Sequence, residues 1–203
     1  MWDYFLKGGP LMWPLLVCSV LALAIVLTKL WFFYRIQRHA DDLFAEVLEL
    51  LRHRRIDEAL VVCQRSSSPL ARVFVALLHL AGRPREQLKT IAGEVAAREG
   101  APLEHFLGLL STIATISPLL GLLGTVIGMI EAFTVIQAQG VGTPASLGGG
   151  ISQALITTAA GLFVAIPVIL GHRYLTGRVQ RISLVMEDYI LKVVDLLGED
   201  NRP

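Results

Sequence analysis

The sequence carries little charge. Of its 203 residues only 17% are Asp, Glu, Lys or Arg, whereas about a quarter are charged in an ordinary soluble domain, and 54% are hydrophobic. Either the core is unusually large or lipid covers part of the surface. The formal net charge of +1 lacks the basic excess that nucleic-acid binding requires, so we expect no nucleic-acid partner.

Cysteine, metal-ligand patterns and nucleotide motifs are also scarce. Cys18 falls in an apolar run and Cys63 in a charged segment, so we expect no disulfide between them. A metal site needs more ligands than these two provide, and the five histidines are scattered without ligand spacing. The glycines at 148–150 are not followed by the Lys-Ser/Thr of a phosphate-binding loop. The sequence therefore predicts no catalytic residue, no metal, no cofactor and no enzyme activity.

Three long runs with almost no charge predict membrane-spanning helices. A bilayer core about 30 Å thick takes roughly 20 apolar residues in a helix, which satisfies its backbone groups internally. The runs are residues 10–34, where Lys29 lies near the end, 106–136, where Glu131 is the only charged residue, and 147–171, which carry no charge. We expect Lys29 to extend to the lipid headgroups. The fold class is therefore an all-α membrane protein with three transmembrane helices in a lipid bilayer.

The rest of the chain predicts long helical extensions outside the bilayer. Apolar residues recur at helical spacing from residue 43 onward, with breaks at 66–69 and at 82–84. From Arg85 the helical pattern is expected to continue directly into the second span, and the third span is expected to continue into an amphipathic tail. We divide the chain into an N-terminus with the first span (1–34), a helical region (35–105), a hairpin of the second and third spans (106–171) and a C-terminal helix (172–203).

The basic residues predict the orientation. Eleven Lys and Arg lie between residues 35 and 104 and five from residue 172 onward, whereas the loop 137–146 carries no charge. Lys and Arg gather on the cytoplasmic side of a membrane. We therefore expect the N-terminus on the outer, periplasmic side and the regions 35–105 and 172–203 in the cytoplasm.

Small residues distinguish the second and third spans from the bulky first span. In the second span Gly124 lies beside four small residues on one helical face, and the third span has four more at matching spacing. The two sets are Gly121, Thr125, Gly128 and Ala132, and Ala154, Thr158, Gly161 and Ala165. Small residues let helices approach closely within a membrane, so helix packing alone would explain the glycines and alanines.

Five polar side chains lie within the second and third spans. The hydroxyls of Thr125, Thr157 and Thr158 either bond to their own helix or line a shared polar path, and the spacing leaves both interpretations open. Glu131 is a functional candidate because ionisable groups are costly in a membrane, but it also lies near enough to the outer end of its span to reach interfacial water. Gln153 is expected to bond across helices or to a partner. Because no carboxylate lies at mid-membrane, a proton channel built from this chain would need a partner to supply one.

Two stretches of these spans resemble the MotA/TolQ/ExbB proton-channel family, and most of all its ExbB-type biopolymer-transport branch. They are residues 117–130 (SPLLGLLGTVIGMI) and 150–167 (GISQALITTAAGLFVAIP), and a weaker likeness covers residues 57–60 and 68–74. The chain length, the three spans and the orientation agree with the family over nearly the whole sequence.

The resemblance implies a role for individual residues. Family threonines map onto Thr125 and Thr158, where hydroxyls would relay protons to and from a partner's carboxylate. Where well-known relatives carry a glutamate in the third span, this chain has Gln153, which cannot exchange a proton. Either that glutamate is dispensable for transport or Glu131 takes part of its role, and we favour the first.

The resemblance also implies an assembly. The chain would form a homopentamer in a bacterial inner membrane, with the second and third spans around a central pore. A single-span subunit similar to ExbD or TolR would sit inside with a transmembrane aspartate, and a TonB-like or TolA-like protein would transmit the work. The implied function is proton conduction coupled to energy-dependent transport at the outer membrane. A TolQ-like role in envelope maintenance and, more remotely, a membrane scaffold without transport are the alternatives.

Overall fold

The computed structural model describes residues 2–66, 68–139 and 144–199, and the regular structure throughout these ranges is helical. The helices formed by the described residues are α1 (Trp2–Lys7), α2 (Met12–Arg52), α3 (Ile56–Arg65), α4 (Pro69–Leu78), α5 (Arg85–Glu104), α6 (Leu107–Gln139) and α7 (Pro144–Glu199). Three stretches of the described chain, in α2, in α5–α6 and in α7, are long and apolar enough to cross a membrane. The prediction of an all-α membrane protein with three transmembrane helices is confirmed, and the pentamer stays a prediction.

The chain divides into two compact units. The first unit consists of Met1–Thr28 and Phe106–Leu175, and the second of Lys29–His105 and Thr176–Pro203. The first unit therefore contains both stretches that carry the family motifs. The second contains the end of the first span, the helical region 35–105 and most of the C-terminal extension.

Helix α4 forms the centre of the second unit because nearly all of its side chains are apolar. It packs against α3 and α5. Its buried residues are Pro69, Leu70, Ala71, Val73, Phe74, Leu77 and Leu78. Full burial of one Leu or Phe side chain contributes about 1.5–3 kcal/mol, so this helix accounts for a large share of the apolar burial in the second unit.

The C-terminal part of α7 is also held within the second unit. The ring of Tyr189 stacks on that of Phe44 with centroids 3.7 Å apart, and its hydroxyl donates a hydrogen bond to Asp41 at 3.0 Å. Arg85 forms an ion pair with Asp195 at 2.7 Å. Helix α7 runs unbroken over 56 residues, as the continuation of the third span into a tail predicted.

The junction between α5 and α6 differs from the prediction. The helical pattern predicted one helix from Arg85 into the second span, but α5 ends at Glu104 and α6 begins at Leu107. Between them Phe106 has a φ of 69°, in the left-handed region that side chains other than glycine rarely adopt. The prediction of one continuous helix is therefore wrong.

Lys29 supplies the physical reason for this helix end. Its ammonium group donates hydrogen bonds to the carbonyl oxygens of Pro102 at 3.1 Å and Leu103 at 2.9 Å. In a continuous helix these carbonyls would accept the N–H groups of residues 106 and 107. A cation at a helix C-terminus satisfies such carbonyls and interacts favourably with the helix dipole. Lys29 is only 6% exposed, so the expectation that it extends to the headgroups is wrong.

Candidate functional site on α6 and α7

Helices α6 and α7 pack against each other through glycines. A Cβ atom at Gly121 would lie 3.1 Å from the Cα of Thr158, and one at Gly161 would lie 2.7 Å from the carbonyl oxygen of Ser117. At Gly128 it would lie 2.5 Å from the carbonyl oxygen of Gly150. Backbone atoms cannot move away as a flexible side chain can, so any larger residue would push the helices apart.

This contact runs antiparallel along much of both spans. At one end Ser117 lies opposite Gly161, and at the other end Ala132 lies opposite Gly150. Measured along α6 at 1.5 Å per residue, the contact is about 22 Å long. Of the small residues that the sequence spacing singled out, Thr125 and Thr158 are half-buried and the others are buried, namely Gly121, Gly124, Gly128, Ala132, Ala154, Gly161 and Ala165. The two spans therefore form one closely packed pair, which we call the α6–α7 pair.

Two of the three threonines keep part of their surface exposed. The hydroxyl of Thr158 lies 3.0 Å from the carbonyl oxygen of Gly121 and 3.1 Å from that of Ala154, and it donates to them. The hydroxyl of Thr125 donates to the carbonyl oxygen of Leu122 at 2.6 Å. Thr125 lies one helical turn beyond Gly121 on the same face of α6. The hydroxyl of Thr158 therefore lies at the packed face of α6, and its helical position places Thr125 one turn further along that face.

Thr157 lies in a different environment. It is fully buried, and its hydroxyl donates to the carbonyl oxygen of Gly8 at 2.7 Å and to that of Gln153 at 2.8 Å. Its methyl group packs on Gly124, where an added Cβ would lie 2.5 Å from the Cγ2 atom. The side chain of Gln153, one turn earlier, lies against Gly9. Both residues therefore face the segment that joins α1 to α2.

Glu131 is not brought to the threonines. It is exposed, next to the buried Ala132 near the end of the α6–α7 contact. No other ionisable residue occurs in α6, and α7 has none before His172. The described part of the chain contains no group of three or more His, Cys, Asp or Glu that could hold a metal ion.

Sequence reasoning missed the role of three residues in this region, namely Ser117, Gly8 and Gly9. Ser117 is fully buried, donates its hydroxyl to the carbonyl oxygen of Ile113 at 2.7 Å, and contacts Gly161 through its own carbonyl. Gly8 and Gly9 contact α7, and a Gly-Gly-Pro run directly before an apolar span was the signal that could have identified this turn.

Comparison with known proteins agrees with the resemblance in the two motifs. Residues 65–188 match the model of the MotA/TolQ/ExbB proton channel family. An ExbB-like biopolymer transport protein of Synechocystis is 36% identical over 178 residues, which cover 86% of this chain and 70% of that protein. A biopolymer transport protein of Vibrio cholerae is 30% identical over 192 residues, covering 93% and 84%. The Tol-Pal system protein TolQ of Haemophilus influenzae is 40% identical over 92 residues, covering 45% and 39%.

The predicted family is therefore confirmed. Both motif stretches, 117–130 and 150–167, fall inside the matched range. With three apolar helical stretches in the structure and relatives that match over most of its length, the chain is a multi-pass membrane protein that belongs to the MotA/TolQ/ExbB proton channel family.

Proposed function

We propose that this chain is the proton-channel subunit of an inner-membrane motor that couples the proton motive force to energy-dependent transport at the outer membrane. Five copies would form a pore lined by α6 and α7 around single-span subunits similar to ExbD. A TonB-like protein would transmit the work across the periplasm.

The observation that carries this proposal is a tightly packed α6–α7 pair with partly exposed hydroxyls in otherwise uncharged spans. Hydroxyl groups both donate and accept hydrogen bonds, so Thr125 and Thr158 can pass a proton after rotating away from the carbonyls of Leu122, Gly121 and Ala154. Because no carboxylate lies at mid-span, the moving proton needs a carboxylate from a second protein. This is why we expect a partner with a transmembrane aspartate.

The surface of the pair supports assembly with other chains and with lipid. Large apolar side chains are exposed on both helices, including Leu119 at 57%, Leu122 at 58% and Phe163 at 82%. In a single copy these side chains have no cover, and exposed apolar surface of this extent marks contact with a membrane or with other chains.

The basic residues support the orientation. Eleven Lys and Arg lie between residues 35 and 104, and no charge occurs from residue 137 to 146. We therefore place the N-terminus in the periplasm and the C-terminus in the cytoplasm.

The energy available is sufficient for a motor. One charge that crosses 100 mV yields about 2.3 kcal/mol, so a few protons supply roughly 5–10 kcal/mol. A complete shift of a two-state equilibrium takes about 5.5 kcal/mol. A cycle of a few protons could therefore drive one conformational change in the partner.

A TolQ-like role in envelope maintenance is the second candidate. The similarity to the TolQ protein of Haemophilus influenzae favours it, although that match covers 45% of the chain compared with 86% for the ExbB-like relative. Native mass spectrometry of the complex purified from its own membrane tests the assembly. We expect five copies with a single-span protein, whose sequence would distinguish an ExbD-like from a TolR-like partner. A chain that stays monomeric without a partner would contradict the proposal.

Proton flux in liposomes that contain the assembled complex tests the path. Thr158→Val should lower the flux about five- to tenfold, because a lost hydrogen-bond partner raises the barrier by about 1–1.5 kcal/mol. Thr28→Val is the matched control, since this exposed first-span hydroxyl also donates to a carbonyl four residues earlier. Unchanged flux in Thr158→Val would remove Thr158 from the path, and a chain that carries no protons at all would favour a scaffold.

A further inference from the structure

The segment that joins α1 to α2 lies directly on α7. We call residues 8–10 the N-terminal turn. Its backbone is ordered by hydrogen bonds from the N–H of Gly9 to the carbonyl of Leu6 at 3.3 Å and from the N–H of Met12 to the carbonyl of Gly9 at 3.2 Å. The carbonyl oxygen of Gly8 accepts the hydroxyl of Thr157 at 2.7 Å. The turn is therefore bonded to a helix 149 positions away in sequence.

The two glycines allow this close approach. Gly9 has a φ of 74°, and an added Cβ would lie 2.6 Å from the Nε2 atom of Gln153. An added Cβ at Gly8 would lie 3.3 Å from the Cγ2 atom of Ile156. The backbone of the turn thus packs directly on a patch of α7 that includes Gln153, Ile156 and Thr157.

Burial separates Thr157 from the other threonines. Its side chain is enclosed by the N-terminal turn, by Gly124 of α6 and by its own helix, and its exposed fraction is 0% in a single copy of the chain. A side chain that its own chain encloses on all sides cannot also line a pore between chains. Thr125 and Thr158 keep part of their surface exposed.

We propose that Thr157 is a positioning residue that holds the N-terminal turn of its own chain on α7 and lies outside the proton path, and that Gln153 helps to hold the same turn. Only the statement about the proton path rests on the proposed function. The contact ties the start of the first span to the third span and, through the methyl group of Thr157 on Gly124, to the second span.

The proposal also explains the uncharged side chain at position 153. An ionised carboxylate against the backbone of Gly9 would pay a desolvation cost that an amide avoids. The uncharged amide of Gln153 therefore suits a side chain that packs on the N-terminal turn, whereas a site that exchanges protons needs an ionisable group.

Hydrogen exchange in residues 4–13, measured on the assembled complex in lipid nanodiscs, tests the hydroxyl contact. Thr157→Val should make these amides exchange about tenfold faster, the factor that corresponds to about 1.4 kcal/mol and to one buried hydrogen bond. Thr157→Ser, which keeps the hydroxyl, should stay near the wild type. Thr158→Val is the matched control, because its hydroxyl bonds to Gly121 and Ala154 and not to the turn. Unchanged exchange in Thr157→Val would overturn the proposal.

A second set of variants tests the contact without removing the hydroxyl. Gln153→Ala should speed exchange in the same residues because it removes the side chain that packs on the turn, and Gly9→Ala should do so because the new methyl group meets that side chain. Gly82→Ala is the control, because Gly82 has a similar φ of 86° and open space around its Cβ position. Unchanged exchange in Gln153→Ala would show that Gln153 does not hold the turn.

Proton flux distinguishes this proposal from the proposed function. If Thr158→Val lowers the flux without speeding exchange in residues 4–13, while Thr157→Val speeds that exchange, both proposals hold. If neither variant changes the flux but Thr157→Val still speeds exchange, the proton path fails and the positioning role stands. If Thr157→Val lowers the flux as much as Thr158→Val with unchanged exchange, Thr157 belongs to the path and the positioning role is refuted.

Discussion

Replacing Lys29 with methionine tests whether a buried ammonium group stabilises the end of α5. Lys29 is 6% exposed, and it donates to the carbonyl oxygens of Pro102 and Leu103. Its Nζ atom also lies 5.5 Å from the ring centroid of Phe32 and 5.8 Å from that of Phe33. Methionine has a similar length and no donor, so the substitution removes the charge with little change in packing.

The structure gives the magnitude of the effect. Each of the two carbonyl oxygens that loses its donor costs about 1–3 kcal/mol, and the lost contacts with the aromatic rings cost about 1 kcal/mol. Removing a buried ammonium group recovers part of this, because its desolvation penalty amounts to several kcal/mol. We therefore expect Lys29→Met to lower the free energy of unfolding of the second unit by about 2–4 kcal/mol.

Thermal unfolding in mild detergent, with hydrogen exchange in the last turn of α5, measures this loss. Lys192→Met is a matched control, because Lys192 also has two aromatic rings within about 6 Å. Its ammonium group is half-exposed and pairs with Asp188 on the surface, so this substitution should cost under about 1 kcal/mol. Equal stability of Lys29→Met and the wild type, with unchanged exchange in α5, would refute the role of Lys29 as a helix cap.

Two further predictions concern α7 and α3. Gly161→Ala should destabilise the α6–α7 pair by about 1–3 kcal/mol, because the new methyl group meets backbone atoms. Gly177→Ala should stabilise α7 by about 0.5–1 kcal/mol, because open space surrounds its Cβ position. The unfolding midpoints of the two variants should therefore shift in opposite directions. Burial and the nearby charge of Glu46 raise the pKa of the Cys63 thiol to about 12 from 9.0. Because the folded state favours the neutral thiol, its stabilising contribution is complete below pH 9.0 and is lost as the pH rises toward 12. Maleimide labelling of Cys63 should therefore stay slow from about pH 7 to 10 in the folded protein and become fast on unfolding, and fast labelling of the folded protein would contradict this.

The spans and the tail of α7 could be predicted because both depend on local properties. Length without charge identifies a span, and a period of 3.6 residues identifies a helix. The end of α5 could not be predicted in this way, because the group that caps it is Lys29, which lies 73 positions before Pro102. A pattern within a window of the sequence contains no information about such a partner.

The candidate site shows the same limit at a finer scale. Helical spacing placed the small residues of α6 and of α7 on shared faces, since residues three or four apart share a face. Thr157 and Thr158 are adjacent, so they point about 100° apart on the helix, and spacing alone cannot decide which of them another segment covers. The contact with Gly8 and the packing on Gly124 show that Thr157 is the enclosed one.

The burial of α4 affects how the chain is made on the ribosome. Its apolar residues are synthesised before α5, one of the helices that cover them, and the 26 residues from Leu78 to Glu104 take roughly 1–5 s at about 5–20 residues per second. A ten-residue apolar helix is too short to span a bilayer, so the membrane cannot take the place of α5 as its cover during that time. Slower translation of the chain would lengthen this interval before α4 is covered, while every contact in the finished molecule stays the same.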